Sequence, residues 1–397
     1  MKPVHLVFVS ADNHNKFYDM IPNGGTFTIK YGRIGATCTT LSKPINEWDK
    51  IYRSKIKKGY VDKSHLIEDL VDNVSANNVF VDIQSKSIAD VIFRLQGYAN
   101  KTLSDNYKVK DNQVTQAMVD EARTILDEMA DLSKYNVNTF NTALIDLFSI
   151  IPRKMKKVQY YLAESTNDFA KILKRESDLL DVMSTKVYMN TSKPTSNNDS
   201  ILDSLGITMR ECDKKLKDEV VSMLGDIKDK YVNCWYVENK STKERYEKNM
   251  SKQINDLHKT EMKFWHGSKN ENWLSILKNG MMIRPSGVST IGAMYGIGAY
   301  FADRAKKSYG YTSANGSYWA RGNSKNAFMA VFSVRVGKYK NIYKHDSSCY
   351  NLNKKKLEDM GHFDSVFAHK GADLVNNEYI VYDPAQVTIH ALVELKG

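Results

Sequence analysis

Apolar and polar residues alternate through VHLVFVS, from Val4, and again through TFTIKYGRIG, from Thr26, with the cluster Pro22-Asn23-Gly24-Gly25 between them. A period of two broken by turn residues predicts two strands joined by a turn. The period then lengthens: Trp48, Ile51, Tyr52 and Ile56 fall at helical spacing, and Gly59 supplies a stop. Residues 1–80 therefore read as a small sheet crossed by one helix.

From residue 85 the helical period takes over. Ser87 is a candidate N-cap for a helix carrying Ile88, Val91, Ile92 and Leu95 on one face, and Asp90 suits its first turn. A second helix starts near Thr115, with Met118, Ala122, Ile125, Met129 and Leu132 in one stripe. A third runs through Phe140, Leu144, Leu147, Phe148 and Ile151 and stops at Pro152; a fourth follows Asn167. Stripes this wide form a core and carry no ligand chemistry. The polar run Thr191–Ser200 predicts a linker. Beyond it come short strands: CWYVE, MKFWHGS, GIGAYFAD, FMAVFSVRVG and NEYIVYD. The expected fold class is α+β multidomain, with domains at 1–80, 85–195 and 198–397.

Composition narrows the setting more than the function. No apolar run in the 397 residues approaches membrane-spanning length. Cys38, Cys212, Cys234 and Cys349 lack C-x-x-C spacing, which argues against structural zinc and a disulfide framework and for a reducing, intracellular setting. That setting is the nucleus if the source is eukaryotic, and the cytoplasm or nucleoid if bacterial or viral. No metal is expected and no membrane partner. A net charge of +11 suits either a polyanionic partner or a lysine-rich solvated surface, and charge alone does not choose.

Four segments of the last 200 residues carry candidate chemistry. They are Phe264-Trp-His-Gly-Ser268, Gly296-Ile-Gly-Ala-Tyr-Phe-Ala-Asp303, Lys307-Ser308-Tyr309-Gly310-Tyr311 and Asn377-Glu-Tyr-Ile-Val-Tyr-Asp383. The glycines at 296 and 298 do not make a dinucleotide fingerprint, because Phe301 stands where a third glycine is needed. Singly, each segment has an ordinary structural reading. In this order and spacing they resemble the catalytic domain of the poly(ADP-ribose) polymerase family, with its His-Tyr-Glu set at His266, Tyr300 and Glu378. Residues 85–195 are similar to that family's helical regulatory, autoinhibitory domain, and Tyr31-Gly-Arg-Ile-Gly35 resembles the core of its WGR domain.

The resemblance implies an NAD⁺-dependent ADP-ribosyltransferase, activated by DNA strand breaks and modifying itself and other proteins. It assigns Glu378 to stabilising an oxocarbenium-like ribose and orienting the acceptor. Gly267 offers its backbone to the nicotinamide amide, Ser308 a hydroxyl, and Tyr311 and Tyr300 the two walls of the slot. His266 is placed on the adenine ribose, Ser268 and Asn272 on the adenosine half, and Lys307 beside the glutamate. Tyr31, in place of tryptophan, would stack on a DNA terminus, and Arg33 would couple that contact to the other domains. Asn376 stands where many family members have tyrosine, and Ile297 where lysine is common. Both departures lie on the acceptor side. Two alternatives therefore stay open: a mono-ADP-ribosyltransferase that does not elongate, and a catalytically inactive DNA-end-binding module.

Overall fold

A computed structural model describes residues 1–34, 36–66, 80–109, 113–283, 294–317, 321–371 and 373–397. The chain divides into two compact units, one of residues 1–77 with 100–191 and the other of residues 78–99 with 192–397.

The first unit begins with a five-stranded antiparallel sheet. Its strands are β1 (Val4–Ser10), β2 (His14–Asn23), β3 (Thr26–Arg33), β4 (Thr39–Pro44) and β5 (Val61–Asp62), in the order β4-β3-β2-β1-β5. Leu6, Tyr18, Met20, Phe27 and Ile29 point to one face and meet Trp48 of helix α1 (Trp48–Lys57). The two-strand reading of this region missed β2 and β4. Pro22 and Asn23 belong to β2, so the β2–β3 turn is Gly24-Gly25, with Gly24 at a left-handed φ of 60°. Ile56, expected on the buried face of α1, is 39% exposed.

Four longer helices follow: α2 (Lys86–Asn106), α3 (Gln116–Glu128), α4 (Val137–Ile150) and α5 (Phe169–Thr191). Thr115 caps α3 by accepting from Met118 N, and Asn136 and Thr139 close a reciprocal capping box on α4. Phe140 stacks on Phe169, centroids 3.9 Å apart, joining α4 to α5. At the start of α2 the expected cap is corrected. Ser85 accepts from Ile88 N at 3.4 Å, whereas Ser87 Oγ receives Trp235 Nε1 at 2.9 Å.

α2 is shared between the units, its first part belonging with residues 192–397. There Ser85 donates to Glu211 at 3.0 Å, and the Arg94 guanidinium binds both oxygens of Glu394, Nη2 to Oε2 at 2.9 Å. The polar stretch read as a linker is a tight turn, in which Asp199 accepts from the backbone N–H and hydroxyl groups of Thr195 and Ser196.

The second unit holds two sheets. Its strands are β6 (Ile207–Glu211), β7 (Tyr231–Asn239), β8 (Glu261–Gly267), β9 (Ala299–Phe301), β10 (Asn326–Arg335), β11 (Tyr339–Ile342), β12 (Ser365–Ala368), β13 (Glu378–Val381) and β14 (Val387–Lys396). One sheet has the order β6-β7-β14-β10-β8 and the other β11-β12-β13-β9. β14, absent from the strands read in the sequence, lies between β7 and β10 and buries Val387, Ile389, Ala391, Leu392, Val393 and Leu395. Among the described residues an isolated bridge joins the sheets: Trp265 and Ala302 exchange backbone hydrogen bonds of 3.0 and 3.1 Å. That bridge sets the end of β8 beside β9.

Candidate active site

β8 ends in His266 and Gly267, opposite Ala330 and Met329 of the buried strand β10. His266 Nδ1 donates to the Tyr300 carbonyl at 3.3 Å, so the ring is oriented by β9. Gly267 allows no substitute, because a Cβ built there would lie 1.9 Å from the Ser308 carbonyl oxygen. Main chain thus faces main chain, the end of β8 against the short helix Ala305–Tyr309. The Ser308 hydroxyl is buried and donates to Trp265 O at 3.1 Å, leaving its oxygen lone pairs as acceptors. Tyr311 follows the helix and is 41% exposed, the kind of half-open ring that can receive a flat ligand.

Glu378 opens β13, which runs between β12 and β9 with Ala368 opposite Glu378 and Tyr300 opposite Ile380. Its Oε1 is paired with Lys307 Nζ, and both side chains are largely buried. Among the described residues Oε2 receives no hydrogen bond, so one oxygen is committed and the other open. The Glu378 charge reaches three phenols. Burial first, and Glu378 second among the raising causes, lifts Tyr300 well above the ordinary tyrosine value, pushes Tyr295 up to about 12, and raises Tyr311. These rings are neutral donors at any physiological pH. One residue earlier, Asn377 donates to Asp303 at 2.9 Å and accepts from Lys370 N at 2.9 Å, tying the approach to Glu378 to the end of β9.

Tyr300 is held through its hydroxyl, which donates to Gly296 O at 2.7 Å and accepts from Tyr295 N at 3.0 Å. Gly296 has φ 77°, and a Cβ there would lie 2.0 Å from Leu352 O, so this glycine serves a close approach of two backbones. Ser268 and Asn272 bond to each other, Asn272 Nδ2 to Ser268 Oγ at 3.1 Å. The structure thus joins His266 to Tyr300, Gly267 to Ser308, and Lys307 to Glu378, while Ser268 and Asn272 form a separate pair. Sequence reading gave no role to Tyr295, Tyr382 or His345, which frame the Gly296 turn. Tyr382 was visible in the NEYIVYD segment, but its hydroxyl partner is a backbone carbonyl that no motif names.

In the N-terminal sheet Tyr31 packs on Tyr18 with centroids 5.5 Å apart, and Lys55 Nζ sits 3.8 Å from the Tyr18 centroid and 5.8 Å from that of Tyr31. Burial, then repulsion from Lys58 and Lys16, lowers the Lys55 pKa. Arg33 spends its guanidinium on protein acceptors: Asn13 O and Oδ1 at 2.9 Å each, and Lys156 O at 3.3 Å. Asn13 takes a left-handed φ of 66° and also accepts from Val158 N at 3.2 Å. Gly35, the last residue of the quoted motif, lies outside the described residues.

Residues 209–397 match the poly(ADP-ribose) polymerase catalytic domain, and residues 3–66 match the WGR domain. An uncharacterized protein, 101L, of Invertebrate iridescent virus 6 is 35% identical over 195 residues, which is 49% of this chain and 81% of the viral protein. Poly [ADP-ribose] polymerase 2 of Homo sapiens is 30% identical over 166 residues, 36% of this chain and 27% of the human protein. Poly [ADP-ribose] polymerase of Drosophila melanogaster is 31% identical over 160 residues, 36% of this chain and 16% of the fly protein. The likeness to the named polymerases thus spans about a quarter or less of their length. The catalytic-domain match at 209–397 includes His266, Tyr300 and Glu378, and on these matches the chain belongs to the poly(ADP-ribose) polymerase family of NAD⁺-using ADP-ribosyltransferases.

Proposed function

We propose that the chain, when its N-terminal domain meets a broken DNA end, transfers ADP-ribose from NAD⁺ to protein acceptors, itself included, and elongates the product. The observation that carries the chemistry is the half-committed Glu378 carboxylate. Nicotinamide leaves NAD⁺ as a neutral molecule, so departure needs no proton; the developing oxocarbenium ribose needs a negative charge and a fixed hydrogen-bond acceptor. Lys307 fixes one oxygen of Glu378, which leaves the other for a ribose hydroxyl and then the incoming acceptor hydroxyl. The bare main chain at Gly267 provides both an N–H and a C=O to a carboxamide, with Ser308 beside it and Tyr311 and Tyr300 as ring walls. His266, Ser268 and Asn272 take the adenosine half.

DNA activation is supported by the WGR match and by the position of Arg33. Because Arg33 bonds Asn13 and Lys156, it connects β3 to the segment before α5 within one unit, suiting it to relay a DNA contact. Arg33→Ala would then weaken activation more than DNA binding. Tyr31 would supply the face that meets the terminus, and the remaining helices would restrain the transferase until DNA engages.

Incubation with labelled NAD⁺, with and without nicked or blunt duplex, followed by a gel, tests the reading. A polymer smear that needs cut DNA supports it, and a discrete band reduces the activity to single-unit transfer. Silence with a folded protein returns the chain to a DNA-end-binding module. Equal activation by closed circular plasmid removes break sensing and leaves the transferase.

A further inference from the structure

Three consecutive backbone carbonyls beside the active site each accept a hydrogen bond from a ring. His345 Nε2 donates to Met294 O at 2.8 Å, the Tyr382 hydroxyl donates to Tyr295 O, and the Tyr300 hydroxyl donates to Gly296 O at 2.7 Å. A turn outside regular structure ordinarily leaves such carbonyls to water. This one is fixed at three successive points, and two of the donors, His345 and Tyr382, come from outside the nicotinamide slot. Tyr382 is buried in the core of the second sheet and is a rigid post. His345 does more than anchor one carbonyl. Its own N–H donates to Asp373 Oδ2 at 2.7 Å, in the loop that leads to Glu378. Its ring stands edge-on between Tyr295 and Tyr350, at 5.6 and 4.6 Å. One residue therefore binds the turn that holds Tyr300 and the loop that delivers Glu378.

We propose that His345 is a positioning residue for the transfer step, setting the Tyr300 turn and the Glu378 loop in a fixed mutual geometry through its Nε2–H bond to Met294. A carbonyl only accepts, so Nε2 carries its hydrogen, and the bond survives in either charge state of the ring. The inference rests on the proposed reaction and deepens it. The proposed nicotinamide contacts, with Gly267 at the end of β8, Ser308 on the helix Ala305–Tyr309 and Tyr311 just beyond it, do not include His345. Loss of the bond should therefore disturb the alignment of Glu378 more than NAD⁺ binding. Small misplacements of a catalytic group cost up to about 100-fold in rate.

Two full-length variants separate the bond from the packing. His345→Phe keeps a ring between Tyr295 and Tyr350 but has no donor; His345→Gln supplies an amide donor with no aromatic ring. Initial rates over a range of NAD⁺, with cut DNA present, should show kcat lowered about 10- to 100-fold for His345→Phe with KM within about twofold of wild type. His345→Gln should recover most of kcat, and thermal unfolding of each variant checks folding. Should His345→Phe not fold, Asp373→Ala takes its place, since it cuts the other bond at an exposed residue and should lower kcat in the same sense. Wild-type kcat in His345→Phe overturns the inference, as does a KM effect alone, or a His345→Gln no better than His345→Phe. If wild type itself ignores NAD⁺, the proposed reaction fails and this inference with it. If wild type is active and the variants match it, the inference alone falls.

Discussion

Glu378 and Glu394 both lie in the C-terminal unit, and both meet a basic side chain, but their surroundings differ in how many acceptor sites are filled. Glu394 sits on β14 at 2% exposure, gripped at both oxygens by the Arg94 guanidinium, with Asn326 Nδ2 at 2.6 Å on Oε1. Both of its oxygens are engaged by a planar, always-charged partner, the arrangement that makes a buried charge tolerable. Glu378 opens a strand with a single ammonium partner on one oxygen. A point-like ammonium fixes charge without filling the carboxylate. On the proposed reaction, the same residue type serves as a structural anchor where both oxygens are engaged and as a reaction centre where one is open.

The sharpest break in that comparison is a neutral isostere at the open site. Glu378→Gln should keep NAD⁺ binding and thermal stability while transfer falls about 10²- to 10³-fold, as when one electrostatic stabiliser is removed. Near-normal automodification would dissolve the distinction. At the doubly held Glu394 the consequence is reversed. Arg94→Met should leave Glu394 buried and unpaired, lowering stability by about 3–5 kcal/mol. The double variant Arg94→Met with Glu394→Leu should recover most of that loss, because an apolar pair needs no compensation; a double-mutant cycle in denaturant measures it. Absence of coupling would show that the pair holds nothing together.

A smaller effect isolates the slot from the carboxylate. Tyr311→Ala should weaken a benzamide probe by about 1–3 kcal/mol, following aromatic stacking on flat bases. Calorimetric titration checks it, and unchanged affinity would put the slot elsewhere. The smallest effect is a pH slope on the strand that bears Glu394. His390 Nε2 lies 3.2 Å from Lys263 Nζ, and burial, then the Lys263 charge, lowers its pKa below the ordinary 6.5. The unfolded state then binds the extra proton first, so stability is full above pH 6.5 and declines as pH falls toward the lowered folded value. His390→Gln should flatten that decline in melting temperature while the Glu378 reaction keeps its profile.

Local signals carried much of this architecture. Thr115 and Pro152 bound their helices where cap and breaker rules place them, and β8, β10 and β13 coincide with apolar runs too dense to be surface. β2 escaped because His14, Asn15 and Asp19 look like turn residues; pairing on both sides with β1 and β3 overrode their weak strand preference. Ser85 and Ser87 are equivalent as caps by sequence. Only Trp235, nearly 150 positions along, decides that Ser87 faces β7. The same limit applies at the site. His266, Gly267, Lys307 and Glu378 stand in short motifs, whereas His345 acts through Met294, Asp373 and two rings scattered along the chain. Long-range contacts to backbone leave no local pattern.

Gly267 has one more consequence, for selection pressure. Because a Cβ at 267 would collide with the Ser308 carbonyl, the slot wall proposed there is made of peptide bonds, which no codon change can re-shape. A compound whose hydrogen bonds all go to the Gly267 main chain gives a resistant lineage nothing to mutate there. Escape would have to come through the rings, Tyr311 above all, at the expense of the slot that NAD⁺ itself would use.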